Sequence, residues 1–164
     1  RKFNHVFGET FPEPQPLLTP APKVPGIDGR KMSKSYANAV NVDETEESLQ
    51  IKVRGMYTDP LKIRADDPGH PEGCVVYGLH KLYASAEFLA RREKECREGK
   101  IGCMPCKKDL LEEMQEPFAQ LREVRERFAA DPKMVDQVLD SGAKIARAVA
   151  QETMQDVRRA MRLA

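Results

Sequence analysis

The stretch Gly29-Arg30-Lys31-Met32-Ser33-Lys34-Ser35 sets two lysines three residues apart among glycine and small hydroxyl side chains. Lysine carries a compact cation on a flexible stem, and serine hydroxyls and backbone amides supply shorter contacts. A mobile loop of this kind suits a polyphosphate. A generic lysine pair at this spacing reads first as a solvated basic loop. The unbroken run Lys31-Met32-Ser33-Lys34-Ser35 is more specific than such a pair.

Upstream of the loop, Pro12, Pro14, Pro16, Pro20, Pro22 and Pro25 fall within one short segment. Fixed φ and missing amide donors at that density forbid a helix or an interior strand. The segment reads as an extended connector entering the turn Gly26-Ile27-Asp28-Gly29.

Downstream, the pattern turns helical from about Asp43. Asp43-Glu44-Thr45-Glu46 offers a capping box, and Leu49, Val53 and Met56 follow at helical spacing. That run stops near Asp59-Pro60, and the polar stretch Arg64 to Gly73 interrupts the chain again. Val75, Leu79, Leu82, Tyr83, Ala86 and Leu89 predict a second amphipathic helix. Leu110, Met114, Phe118, Leu121, Val124 and Phe128 mark a longer stripe with Pro117 inside it. Either the helix kinks at that proline, or a new helix begins with it in the first turn. A last stripe runs through Val135, Val138, Leu139, Ala143, Ala146, Val149, Met154, Val157 and Met161. All these stripes are expected to form bundle core.

Composition bounds the function. With 40% apolar and 32% charged residues, the 164-residue chain fits a charge-rich, mostly helical protein. Its formal net charge of +1 gives no global attraction to nucleic acid, so any basic patch is local. No apolar run reaches membrane-spanning length. The chain opens Arg1-Lys2-Phe3-Asn4, with neither an initiator Met nor a secretory pattern, and reads as a piece of something longer.

Nothing implies export, so Cys74, Cys96, Cys103 and Cys106 read as reduced thiols or metal ligands. Their spacing is C-x21-C-x6-C-x2-C. The closing pair lets one short turn give two thiolates to one metal, and Gly102 and Pro105 favour that turn. Four thiolates suit tetrahedral zinc or a 4Fe–4S cluster, and spacing alone leaves both open. Around them stand Arg91, Arg92, Lys94, Arg97, Lys100, Lys107 and Lys108 against Glu93, Glu95 and Glu98. This local surplus of positive charge is the best phosphate-binding candidate in the sequence. His5, His70 and His80 remain; His70 lies near the first cysteine and could substitute as a ligand, but four cysteines already complete a site, so a loop or surface role is expected for it.

The string Lys31-Met32-Ser33-Lys34-Ser35 is identical to the second signature, KMSKS, of class I aminoacyl-tRNA synthetases. Phe3-Asn4, Phe7-Gly8 and Phe11-Pro12 before it resemble the bacterial tryptophanyl members of that family. Met56-Tyr57-Thr58-Asp59-Pro60, Ile63-Arg64, Asp67-Pro68-Gly69, Gly102-Cys103, Cys106-Lys107-Lys108-Asp109-Leu110 and Val157-Arg158 after it do so too. The likeness covers nearly the whole chain. The first class I signature, with its histidines and glycine, is absent. The cysteine pattern is close to that of an iron–sulfur-containing subset, with one residue fewer in the first interval. One residue shifts helix phase by about 100° unless the flanking loop absorbs it.

The resemblance implies a mainly α chain. Residues 1–42 are expected to be the C-terminal end of a Rossmann-type catalytic domain, its last strand and KMSKS loop. Residues 43–164 are expected to be an α-helical, anticodon-facing domain of four or five helices with the four-cysteine site. By the same resemblance Lys34 and Lys31 contact ATP phosphate as the catalytic cations, Met32 and Ser33 present backbone near the adenosine, and Ser35 positions the loop. Negative charge moves onto the leaving pyrophosphate in the transition state, where cations act most. Cys74, Cys96, Cys103 and Cys106 hold a 4Fe–4S cluster, with zinc as the alternative, and Arg91, Arg92, Arg97, Lys100, Lys107 and Lys108 face tRNA. The implied parent is a cytoplasmic, homodimeric tryptophan–tRNA ligase using ATP, Mg²⁺, tryptophan and tRNA(Trp), and the piece alone is inactive. The alternatives are a non-catalytic metal-stabilised RNA-binding module and a tyrosyl-type synthetase.

Overall fold

The computed structural model describes residues 1–19 and 21–163, so Pro20, one of the connector prolines, lies outside the described residues. Among those residues the helices are α1 (Lys2–Phe7), α2 (Glu46–Gly55), α3 (Val75–Tyr83), α4 (Ala86–Arg97), α5 (Cys103–Ala130) and α6 (Pro132–Ala160). Five of them follow residue 43. The expected final strand is not formed. A single antiparallel bridge joins Pro25 to Lys31, and no strand occurs among the described residues. A proline-rich connector offers few amide donors, and no neighbouring strand stands beside it to complete a ladder.

Contacts group the chain into two compact units, Leu18–Arg125 and Arg1–Leu17 with Glu126–Ala164. In the first, Leu49, Val53 and Met56 from α2 and its end meet Val75, Val76 and Leu79 of α3 and Leu110, Met114 and Phe118 of α5. Each of these large side chains contributes about 1.5–3 kcal/mol on leaving water. The helix-spaced stripes predict this core apart from Val76. The α5 stripe leaves it beyond Phe118, where Leu121, Val124 and Phe128 are exposed because no apolar surface among the described residues covers them.

Local chemistry moves three boundaries. Helix α2 is capped by Thr45, whose hydroxyl accepts from the Ser48 amide at 3.1 Å. Asp43 does not cap it and instead pairs with Arg125 at 3.5 Å. The second apolar run divides, because the Ser85 hydroxyl accepts the Phe88 amide at 3.2 Å and starts α4 afresh. Its stripe keeps helical phase across the break, which periodicity alone does not reveal. Helix α5 runs through Pro117 unbroken. The break comes later, where Asp131 accepts from the Met134 amide at 3.1 Å and Pro132 opens α6.

In the second unit, Asn4 ties the chain back on itself. Its Oδ1 accepts from Phe11 N at 3.0 Å and Thr10 N at 3.2 Å, and its Nδ2 donates to Phe11 O at 2.6 Å. The Phe3 ring lies 4.8 Å from Phe7 and 5.1 Å from Phe11, so the Phe-Asn and Phe-Gly text makes one small knot. Helix α6 departs from expectation. None of its residues is buried, and Val138, Leu139, Val149 and Met154 are exposed. An apolar stripe becomes core only where another apolar surface meets it, and periodicity does not supply that surface. Among the described residues no helix is long and apolar enough to cross a membrane.

Candidate functional site

The lysine loop is stapled by a buried asparagine. Asn38 is 1% exposed. Its Oδ1 accepts the Ser33 amide at 2.8 Å, and its Nδ2 donates to Asp28 Oδ1 at 2.7 Å and to the Lys31 carbonyl at 3.3 Å. The hydrogen bond from Asn38 holds the Asp28 carboxyl below its ordinary pKa. Asp28 in turn accepts from Arg30 N at 3.0 Å and Arg30 Nε at 2.7 Å. Gly26 packs directly against the Asn38 amide, where any Cβ would collide. Gly29 sits at φ +86°, which a side chain disfavours.

This frame leaves the functional heads outside. Ser33 accepts from the Ser35 amide at 3.3 Å and opens a single 3-10 turn over Lys34–Tyr36. Lys31, Lys34 and Ser35 are exposed, while Met32 and Ser33 are half-buried. Among the described residues neither lysine has an acidic partner, whereas Arg30 is committed to Asp28 at 2.6 Å. The arrangement presents two unneutralised cations on a braced backbone.

All four cysteines line one cavity, of about 30 Å³, larger than the space a single water needs. Cys74 precedes α3, Cys96 lies in the last turn of α4, and Cys103 and Cys106 stand in the first turn of α5. Burial pushes the thiols of Cys74 and Cys96 up, and that of Cys106 to about 12, against the opposing charge of Arg92. Left without a cationic centre, these sulfurs keep their protons at neutral pH. Among the described residues no three His, Cys, Asp or Glu side chains are disposed to hold a single metal ion.

The cavity's surroundings are specific. Gly69 packs against Cys96: its amide donates to the Cys96 carbonyl at 2.9 Å, and a Cβ there would stand 2.6 Å from Cys96 Sγ. His80, to which the sequence assigns no role, is wholly buried. Its Nδ1 is 2.7 Å from Glu113 Oε2, and its Nε2 is 3.2 Å from the Cys106 carbonyl and 3.5 Å from Cys106 Sγ. His70 lies off the cavity and pairs with Asp59 at 2.9 Å. Arg92 also faces inward. It binds Asp109 and, at 3.1 Å, Glu95, and its Nε has no partner.

The basic run is therefore split. Arg91, Lys94, Arg97, Lys100 and Lys108 are exposed, but Arg92 and Lys107 are buried and turned away from any surface partner. Lys107 donates to the Arg54 carbonyl at 2.7 Å. Of the exposed five, Arg97 pairs with Glu72 and Glu93, Lys100 with Glu98 at 2.6 Å, and Lys108 with Glu112 at 3.6 Å. Exposed pairs of this kind are worth little and yield to a competing phosphate.

Comparison with known proteins decides the family. Residues 1–119 match the family described as tRNA synthetases class I (W and Y). The chain belongs to that family. Over 99% of its length it is 46% identical to the tryptophan–tRNA ligase of Aquifex aeolicus and 44% identical to that of Thermotoga maritima. It spans 42% and 50% of those two relatives, about half of their length. A crystal structure of Campylobacter jejuni tryptophanyl-tRNA synthetase, complexed with ADP and tryptophan, superposes with a TM-score of 0.75 at 29% identity. That match covers 98% of this chain and 50% of the other.

Within this class I synthetase chain, the roles of three positions escaped sequence reasoning. Asn38 stands between two alanines, Arg92 reads as one more surface charge in a basic run, and His80 sits on an apolar helix where a histidine signals nothing by itself. Burial gives each its role, and burial is a tertiary property.

Proposed function

We propose that this chain is the C-terminal part of a tryptophan–tRNA ligase, contributing the ATP loop and the tRNA-facing helices of a cytoplasmic, homodimeric enzyme. Residues 1–42 serve the catalytic domain and residues 43–164 the helical one. The observation that carries the reading is the loop: Lys31 and Lys34 are exposed and lack acidic partners among the described residues, on a backbone braced by Asn38. Lys34 and Lys31 contact the ATP phosphates, with Mg²⁺, and stabilise charge on the departing pyrophosphate as tryptophan is activated. Met32 and Ser33 lie along the adenosine, and Ser35 sets the loop. The exposed Arg91, Arg97, Lys100 and Lys108 give the RNA-facing charge.

Cys74, Cys96, Cys103 and Cys106 would hold a 4Fe–4S cluster, which supplies a rigid anionic centre tying the starts of α3 and α5 to the end of α4. What supports a shared site is that all four sulfurs line one cavity, and zinc remains the alternative occupant. The buried Nε–H of Arg92, on the same wall, lacks an acceptor.

The test is tryptophan-dependent exchange of pyrophosphate into ATP by the longer protein that carries this chain. Replacing Lys31 and Lys34 together by alanine is expected to slow exchange at least about 100-fold. An undiminished rate in the double variant, or exchange that depends on tyrosine instead, overturns the assignment.

A further inference from the structure

We propose that Arg92 is the hydrogen-bond donor and positive counter-charge built into the four-cysteine cavity, setting the potential of the cluster held there. The inference rests on the cluster reading above. Arg92 is 6% exposed and lines the same cavity as Cys74, Cys96, Cys103 and Cys106. It stands one helical turn before Cys96 on α4, so both side chains leave the same helix face.

Its guanidinium is held from three directions. Asp109 and Glu95 take the two terminal nitrogens, Glu95 at 3.1 Å, and the Phe88 ring lies 4.9 Å from the guanidinium carbon. These contacts consume the outer edge of the group and fix its plane. The remaining donor, Nε–H, is the one buried side-chain polar atom without a partner among the described residues. Buried donors are ordinarily satisfied, and an exception calls for an acceptor. The cavity that Arg92 lines also carries the four cysteine sulfurs, which are candidate acceptors. A neutral thiol accepts weakly. A thiolate or sulfide of an anionic cluster accepts far better, because the bond is then charge-assisted.

The opposing charges are also in place. Asp59 faces the cavity but is occupied by His70, and Lys62 faces it with its ammonium bound to the Asp67 carbonyl. Lys62 keeps further N–H donors beside that bond, but Arg92 Nε is the buried cavity nitrogen with no partner at all among the described residues. Hydrogen bonds to cluster sulfurs and nearby positive charge favour the reduced, more negative state and raise the reduction potential. Asp109 and Glu95 act as positioning residues through Arg92.

The experiment uses the protein carrying this chain, purified without oxygen and supplied with ferrous iron and sulfide, alongside its Arg92→Gln and Arg92→Lys variants. Iron and sulfide per chain are counted, and the midpoint potential is read by titrating the visible absorption with dithionite. Arg92→Gln is expected to lower the potential by about 59 mV, a tenfold change in a one-electron equilibrium. Arg92→Lys, which keeps charge but loses the planar Nε–H, is expected to fall between. Equal potentials in all three proteins overturn the role of Arg92 while leaving the cluster intact. A parent protein that binds zinc, or no iron and sulfide, overturns the cluster reading itself and this inference with it. If Arg92→Gln loses its helical circular dichroism, the Lys variant decides: a lowered potential supports the proposal, and an unchanged one ends it.

Discussion

His80 Nδ1 lies 2.7 Å from Glu113 Oε2, joining α3 to α5 directly behind Cys106. The histidine is fully buried, and its other nitrogen faces the Cys106 carbonyl and sulfur. One side chain therefore couples helix packing to the placement of a candidate ligand.

Replacing His80 by leucine preserves apolar volume but strands Glu113 and the Cys106 carbonyl. We expect a loss of about 2–4 kcal/mol, as for other broken buried polar networks. Urea unfolding followed by circular dichroism measures it. A variant as stable as the parent shows that the pair is incidental.

Asn38→Ala removes the acceptor of Ser33 N and the donor to Asp28 and Lys31 O. The expected cost is about 1–3 kcal/mol, concentrated in the loop. In the longer protein it should slow ATP–pyrophosphate exchange while Lys31 and Lys34 remain. Asn38→Asp keeps one acceptor oxygen and, facing Asp28, should do no better.

Glu44 controls acid stability. It is buried and accepts from Lys52, Ser48 and the Asn41 amide. Burial raises its pKa, but these bonds outweigh that and bring it to about 2, from 4.5. A carboxyl depressed in the folded state stabilises fully above its unfolded pKa and is lost as pH falls through the folded one. The chain should therefore lose up to about 3 kcal/mol between about pH 4.5 and pH 2. Glu44→Gln should be less stable at neutral pH and flatter across that window. Equal slopes in the two proteins would count against the assignment.

Gly99 follows α4 at φ +69°, and a Cβ there would run into the Asp66 carbonyl. Its amide also donates to the Cys96 carbonyl at 3.2 Å. Gly99→Ala is expected to destabilise by more than about 2 kcal/mol through backbone strain and collision. Because that turn follows Cys96, the variant should also retain less iron under the reconstitution described above. Thermal melting and iron counting are the checks.

The amino-acid sequence by itself determined that the chain is helical after residue 43 and cannot be so through the proline-rich connector, but it did not show α1 or divide α3 from α4. It placed the apolar faces of α2, α3 and the first half of α5, and it announced the Lys31–Ser35 loop and the four cysteines. Periodicity, proline density and a five-residue match are local properties, legible without coordinates. Tertiary structure decided the rest. It converged Cys74, Cys96, Cys103 and Cys106 on one cavity and turned Arg92 and Lys107 inward from a run that reads as a uniform basic face. It made Asn38 and His80 the braces of the two candidate sites, and it left α6 without buried residues despite its apolar stripe. Helical spacing fixes the direction of a side chain relative to its own axis, whereas burial depends on what another segment brings to meet it.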